Sequence, residues 1–153
     1  MNMIQKAKEQ VQELTKQAYT AAVKENLLPE GVTVEPSVEI PKDVSNGDYT
    51  TTFCLAAAKA MKMNPRQVAT ILTEHMALEG SYFTSVEIAG PGFMNFRLGD
   101  KWFGDTVTAI EAAGADYGCS DMLKGRKIMV EFVSANPTGP MHMGNARGGV
   151  LGD

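Results

Sequence analysis

Residues 1–115 read as an α+β domain, residues 116–126 as a polar linker, and residues 127–153 as the opening strand, loop and helix of a second, parallel-sheet domain. Three observations predict this. Helical stripes and a hairpin pattern fill the chain up to Ala115. DYGCSDMLKGRK is polar and contains Gly. KIMVEFV, a continuous apolar run of strand length, then passes through the Pro/Gly-rich loop SANPTGP into MHMGNARGGVLGD, which has the pattern of a helix start.

The bulk numbers bound the possibilities. With 153 residues, 16.5 kDa and 44% apolar residues, there is material for one ordinary domain, or a small domain plus a piece of another. Lys and Arg number 14 against 18 Asp and Glu, a net charge of -4. That balance excludes a whole-surface electrostatic nucleic-acid binder, so any RNA contact must be local or shared with other parts. Charged residues at 21% and a mean hydropathy of -0.14 exclude a disordered tail. No apolar run approaches the roughly 20 residues of a membrane span, and the polar start MNMIQKAKEQ is not a secretory leader. Cys54 and Cys119 lack a CxxC partner, and His75 and His142 are too few for a metal centre. Two free thiols in a reducing cytosol, with no metal site, is the expectation.

Taken in order, residues 1–27 carry Ile4, Ala7, Val11, Leu14, Ala18 and Ala22 on one helical stripe. Pro29, Gly31, Pro36 and Pro41 follow, and VTVEPSVEI between them alternates well enough for one or two short strands. Asn46-Gly47-Asp48 is turn chemistry, with Asp48 or Thr50 as cap of a helix starting near Tyr49. Asn64-Pro65 starts the next helix, which runs to about Leu78. SYFTSVEIAGPGFMNFRLG predicts a hairpin: Tyr82, Thr84, Val86 and Ile88 share one face, and Phe93, Asn95 and Arg97 alternate with Met94, Phe96 and Leu98. A helix from Asp100 to about Ala113 closes the domain, with Trp102 and Phe103 filling its core.

The chemistry concentrates in EFVSANPTGPMHMGNARGGVLGD. His142, Gly144 and Asn145 fall at a strand-to-helix turn, where backbone N–H groups attract phosphate. Gly144 lets a flat base or phosphate approach the main chain, and an imidazole and a carboxamide can donate to charge growing on a transferring phosphoryl group. Glu131 and Asn136 are placed to hold a cationic or amine-bearing substrate. A bare HxGN is also compatible with a plain Gly/Pro turn carrying a surface histidine.

With its flanks the segment is no longer bare. EFVSANPTGPMHMGNARGG resembles the ATP-site HIGH motif of class I aminoacyl-tRNA synthetases, and specifically the arginyl branch, with its S-x-N-P-x-G/K-x-x-H-x-G-H/N-x-R pattern. NGDYTTTFCLAAAKAMKMNPRQVATIL followed by VEIAGPGFMNFRL resembles the additional N-terminal domain of that family. The resemblance implies a tRNA-contacting α+β domain followed by the first βα unit of a truncated, Rossmann-like catalytic domain. It places His142 and Asn145 at the ends of the HIGH motif, where family members stabilise charge at the α-phosphate, and Gly144 under the adenine. Glu131, Ser134 and Asn136 match residues that hold the arginine substrate. Phe93 and Asn95 match the segment that contacts the D-loop corner of tRNA, Phe93 stacking on an unpaired base and Asn95 bonding its edge; a hairpin Phe and Asn are otherwise ordinary packing and turn polarity.

Two positions depart from the family pattern. Asn145 stands where histidine is common, which leaves His142 alone to make the site pH-dependent. Gly139 stands where some members carry a lysine that compensates for a missing lysine loop, so a downstream KMSK-type loop is expected. The implied partners are tRNA(Arg), arginine and ATP, with Mg²⁺ only on ATP, no tightly bound cofactor and no membrane. The implied location is the cytoplasm, and arginine activation in the family generally requires bound tRNA.

Other readings fit less well. No GxxxxGK occurs, so a P-loop is out, and Glu74-His75 lacks the HExxH spacing. A small nucleotidylyltransferase usually carries its HxGH turn near its first strand, whereas here it comes at position 142 of 153. A non-catalytic RNA-binding module is disfavoured by the acidic balance. The chain is expected to be a fragment of a monomeric parent. Its strand over 127–133 lacks parallel neighbours, so residues after about Asp116 are expected to be disordered or paired with another copy of the chain, without arginine activation of their own.

Overall fold

The structure is a computed structural model that describes residues 2–136 and 138–152. The chain divides into two compact units, Met1–Tyr117 and Gly118–Asp153.

In the first unit, helix α1 spans Met3–Lys24, opened by the Asn2 side chain accepting from the Gln5 N–H at 3.1 Å. Ala7, Val11, Leu14, Ala18 and Ala22 face the core as the stripe predicts. Ile4 does not: it is 48% exposed, and Met3, one position round the helix, is buried in its place. The helix stops before residue 27 because Asn26 adopts a left-handed backbone (φ 58°).

Four strands follow: β1 (Val38–Glu39), β2 (Tyr49–Thr51), β3 (Phe83–Ala89) and β4 (Phe93–Leu98). They form one antiparallel sheet in the order β1-β2-β4-β3. The expected helix start at Tyr49 is thus a strand, because Tyr49, Thr50 and Thr51 pair with Phe96, Asn95 and Met94. The helix after it, α2 (Phe53–Met61), begins at Thr52 without a side-chain cap. Asp48, one of the two expected caps, instead accepts the Leu98 N–H at 2.8 Å. Helix α3 (Pro65–Glu74) starts as predicted, Asn64 accepting from the Arg66 N–H at 2.9 Å, and ends short of Leu78 with His75 as its cap.

On β4, Met94 and Phe96 are fully buried, and Phe96 meets Phe83 edge-on. The alternation on β3 is broken at its start. A register irregularity between Phe83 and Ser85 buries both Tyr82 and Phe83 and turns Thr84 outward, so the four-residue face predicted from Tyr82 is not kept. Helix α4 (Asp100–Ala113) has no buried residue. Trp102 is half-buried and its Nε1–H donates to the Met3 carbonyl at 3.2 Å, while Phe103 is 54% exposed and packs edge-on to Trp102 rather than filling the core.

The second unit contains helix α5 (Met143–Gly152) but no strand over 127–133 among the described residues. Ile128, Met129, Val130 and Phe132 are exposed. A strand exists through its ladder, and no described residue pairs with this run. The segment still lies along α5. A Cβ on Gly152 would fall 2.7 Å from the Phe132 ring, and one on Gly149 3.4 Å from Val133. The observed architecture is therefore α+β with a small antiparallel sheet, and the helix of the expected βα unit stands without its ladder.

Candidate functional site

Each unit carries one group of the residues singled out from the sequence. In the second unit the residues 142–146 build a reciprocal cap at the start of α5. The His142 main-chain N–H donates to Asn145 Oδ1 at 3.1 Å, and the Gly144 N–H donates to His142 Nδ1 at 3.1 Å. The His142 carbonyl accepts the N–H groups of Asn145 and Ala146 at 2.9 and 3.2 Å. This is a capping box, with histidine as cap and asparagine three residues on. The main-chain N–H groups of residues 144–146 thus all have partners on His142. What the turn offers outward are side-chain donors. With Nδ1 accepting, the neutral imidazole carries its proton on Nε2, and with Oδ1 accepting, the Asn145 amide has its NH₂ free.

Gly144 bears on the placement of the His142 ring. A Cβ there would sit 3.0 Å from His142 Cε1 and 3.1 Å from Nδ1, so an added side chain would press the ring aside by a few tenths of an ångström. A hollow of about 300 Å³ opens beside it, lined by Ser134, Asn136, Thr138, His142 and Asn145 among others. Ser134 Oγ donates to Glu131 Oε1 at 2.6 Å, which ties the glutamate to that rim. The structure thus brings Ser134, Asn136, His142 and Asn145 around one hollow, with Glu131 reaching it through Ser134 and Gly144 behind the ring. Met141 and Met143 line an adjoining hollow of about 560 Å³. Among the described residues no group of His, Cys, Asp and Glu is arranged to hold a metal ion.

In the first unit, Phe93 and Asn95 lie on the same face of β4, as their shared parity predicts, and line a pocket of about 190 Å³ with Pro41, Asn46, Thr50 and Ala89. Asn95 is only 6% exposed and stands at the centre of three strands, opposite Thr50 on β2 and Glu87 on β3. The loop that brings Asn46 to the rim is tied to β4 throughout. Arg97 Nη2 donates to the Ser45 carbonyl at 2.8 Å, the Asp48 N–H donates to Phe96 O at 2.9 Å, and Asp48 Oδ2 accepts from Leu98. Asp43 accepts the Ser45 N–H at 2.9 Å, which holds its carboxyl below the usual carboxylate range. Arg66 Nη1 donates to the Gly90 carbonyl at 2.9 Å and fixes the turn before Phe93.

Thr50 is the pocket residue that reading the sequence missed, taken there for a helix cap. Its hydroxyl oxygen is buried and has no hydrogen-bond partner. Such an orphan costs about 1–3 kcal/mol in the free protein. Alternation within the three residues of β2, with Tyr49 and Thr51 inward, was the available signal, but it needed β4 to show that a strand was present.

The fold has a counterpart among solved structures. The crystal structure of arginyl-tRNA synthetase from Plasmodium falciparum superposes with a TM-score of 0.52 at 8% identity, covering 65% of this chain and 17% of that one, a likeness of fold alone. The α+β architecture is thus one found in an aminoacyl-tRNA synthetase. Residues 3–98 match the family model described as the arginyl tRNA synthetase N terminal domain, and the chain belongs to that family. The arginine–tRNA ligases of Acetivibrio thermocellus and Caldanaerobacter subterraneus are each 46% identical to it over 152 residues, 99% of this chain. The chain spans 27% of the length of each. No helix among the described residues is long and apolar enough to cross a membrane.

Proposed function

We propose that this chain supplies the tRNA-contacting domain and the opening turn of the adenylate-forming site of an arginine–tRNA ligase. In this reading residues 1–115 hold tRNA(Arg), 116–126 link, and 127–153 begin a Rossmann-like catalytic domain. The arginine carboxylate attacks the α-phosphorus of ATP, a mixed anhydride forms, and the bond to pyrophosphate breaks. ATP arrives with its Mg²⁺ as substrate, without a tightly bound cofactor, and the reaction belongs to the cytoplasm. His142 Nε2–H and the Asn145 amide donate to the oxygens on which charge grows. Glu131, Ser134 and Asn136 hold the amino acid, and the arginyl group passes to the tRNA 3′ end.

The observation that supports this is the reciprocal cap of His142 and Asn145 beside a hollow that both residues line together with Ser134 and Asn136. On the other unit, a pocket combining an aromatic face with a carboxamide supports the contact of Phe93 and Asn95 with an unpaired base. The test is aminoacylation by the full-length ligase carrying this chain, with total tRNA, ATP and each amino acid in turn. Arginine alone should be charged, and His142→Ala should abolish charging. Charging with another amino acid would overturn the roles of Glu131 and Asn136, and no charging would leave a non-catalytic RNA-binding module.

A further inference from the structure

We infer that Thr50 is a third recognition group of the pocket on the first unit, its hydroxyl hydrogen-bonding the edge of the single unpaired nucleobase that stacks on Phe93 and meets Asn95. The inference rests on the reading of that pocket as an RNA contact and adds to it a residue that decides affinity. Thr50 and Asn95 are directly opposed across β2 and β4, so their side chains rise from the sheet side by side on one face. Both line the same 190 Å³ pocket, with Phe93 beside Asn95 and Pro41 and Asn46 on the rim.

Buried hydroxyls in folded proteins nearly always have a partner. This one has none, and it is the only such side-chain atom among the described residues. Thr50 lines the pocket, and turning its side chain toward that space lets a ligand supply the missing bond. The hydroxyl rotates and both donates and accepts, and the adjacent carboxamide offers a donor and an acceptor. Together they match the donor–acceptor edge of a base, which an apolar ligand would leave unanswered. A base bound here removes an orphan that the free protein carries, so the bond formed has no competing protein partner to displace.

The experiment measures binding of the chain to an unmodified tRNA(Arg) transcript, alongside its thermal stability without RNA. Thr50→Val keeps the shape and removes the hydroxyl; it should weaken binding about tenfold and leave the free chain as stable as before or more so. Thr50→Ser should bind as the parent does. Against transcripts made abasic at each D-loop position in turn, one abasic position should erase the difference between Thr50→Val and the parent. Unchanged binding by Thr50→Val, while Phe93→Ala binds weakly, would overturn the role of Thr50 and leave the base pocket standing. A Thr50→Val chain that melts lower would assign the hydroxyl to the fold and overturn it as well. Full binding by both Phe93→Ala and Asn95→Ala, or no binding by the parent chain, would remove the pocket reading and this inference with it.

Discussion

The imidazole of His75 lies 3.2 Å from the carboxylate of Glu25, fifty residues away, and joins the C-terminal ends of α3 and α1. Its Nδ1 is 2.7 Å from the Ile71 carbonyl, so the protonated ring donates at both ends. The carbonyl of Ile71 first, and the Glu25 carboxylate second, raise the histidine above its ordinary value of 6.5.

A group whose pKa is raised by folding stabilises the protein most while it is protonated in both states. The His75 contribution is therefore complete below about pH 6.5 and is lost as pH rises through the elevated folded value. Urea midpoints of the parent and of His75→Gln should differ more at about pH 5.5 than at about pH 8.5. A difference that stays constant with pH would show that the pair with Glu25 does not form.

Gly47 has φ 85°, and a Cβ there would fall 2.8 Å from the Phe96 carbonyl oxygen. Gly47→Ala is expected to cost about 2 kcal/mol through the left-handed backbone and the contact together. For a domain of this size that is a melting point lower by roughly 10 °C. An unchanged melting point would mean that the loop carrying Asn46 is not held against β4 as described.

The two cysteines should react very differently. Cys54 is fully buried, and burial pushes its thiol up to about 12, whereas Cys119 is exposed. A thiol reagent near pH 8 should modify one equivalent rapidly, at Cys119, and the second only after denaturation. Two equally fast equivalents would place Cys54 outside the core.

At the start of α5 the expected state is a neutral His142 with its proton on Nε2. Long-range ¹H–¹⁵N correlation spectra near pH 8 report this directly, with Nδ1 showing the shift of an unprotonated nitrogen. Gly144→Ala should weaken the bond to Nδ1 and move that nitrogen's shift toward the value of a free imidazole, because the new methyl would press on the ring at 3.0 Å. An Nδ1–H tautomer in the parent chain would rule out the cap.

What could be read in the sequence follows the range of the interaction responsible. Asn64-Pro65 and the stripe from Ala7 to Ala22 were legible because a cap bond and a helical turn close within a few residues. Tyr49–Thr51 was not, because a three-residue strand is decided by β4, far along the chain. Ile4 was displaced by Met3 because a stripe read from periodicity alone leaves its edges undefined. The grouping of Ser134, Asn136, His142 and Asn145 was visible in one short motif, whereas Thr50 needed the sheet to bring it opposite Asn95. Residues 127–133 look like a strand by composition, but composition supplies no hydrogen-bond partner.

Both bonds of the cap, the one that holds the His142 ring and the one that holds the Asn145 amide, begin and end within four consecutive residues. Closing so short a loop demands little chain entropy and no help from distant segments. The turn can therefore take shape as soon as residues 142–146 are free to coil, ahead of slower sheet assembly. Changes elsewhere in such a protein can alter what reaches the imidazole without altering how it is aimed. Alignment at this position is inherited with a five-residue word, which makes it cheap to keep through large rearrangements of the surrounding fold.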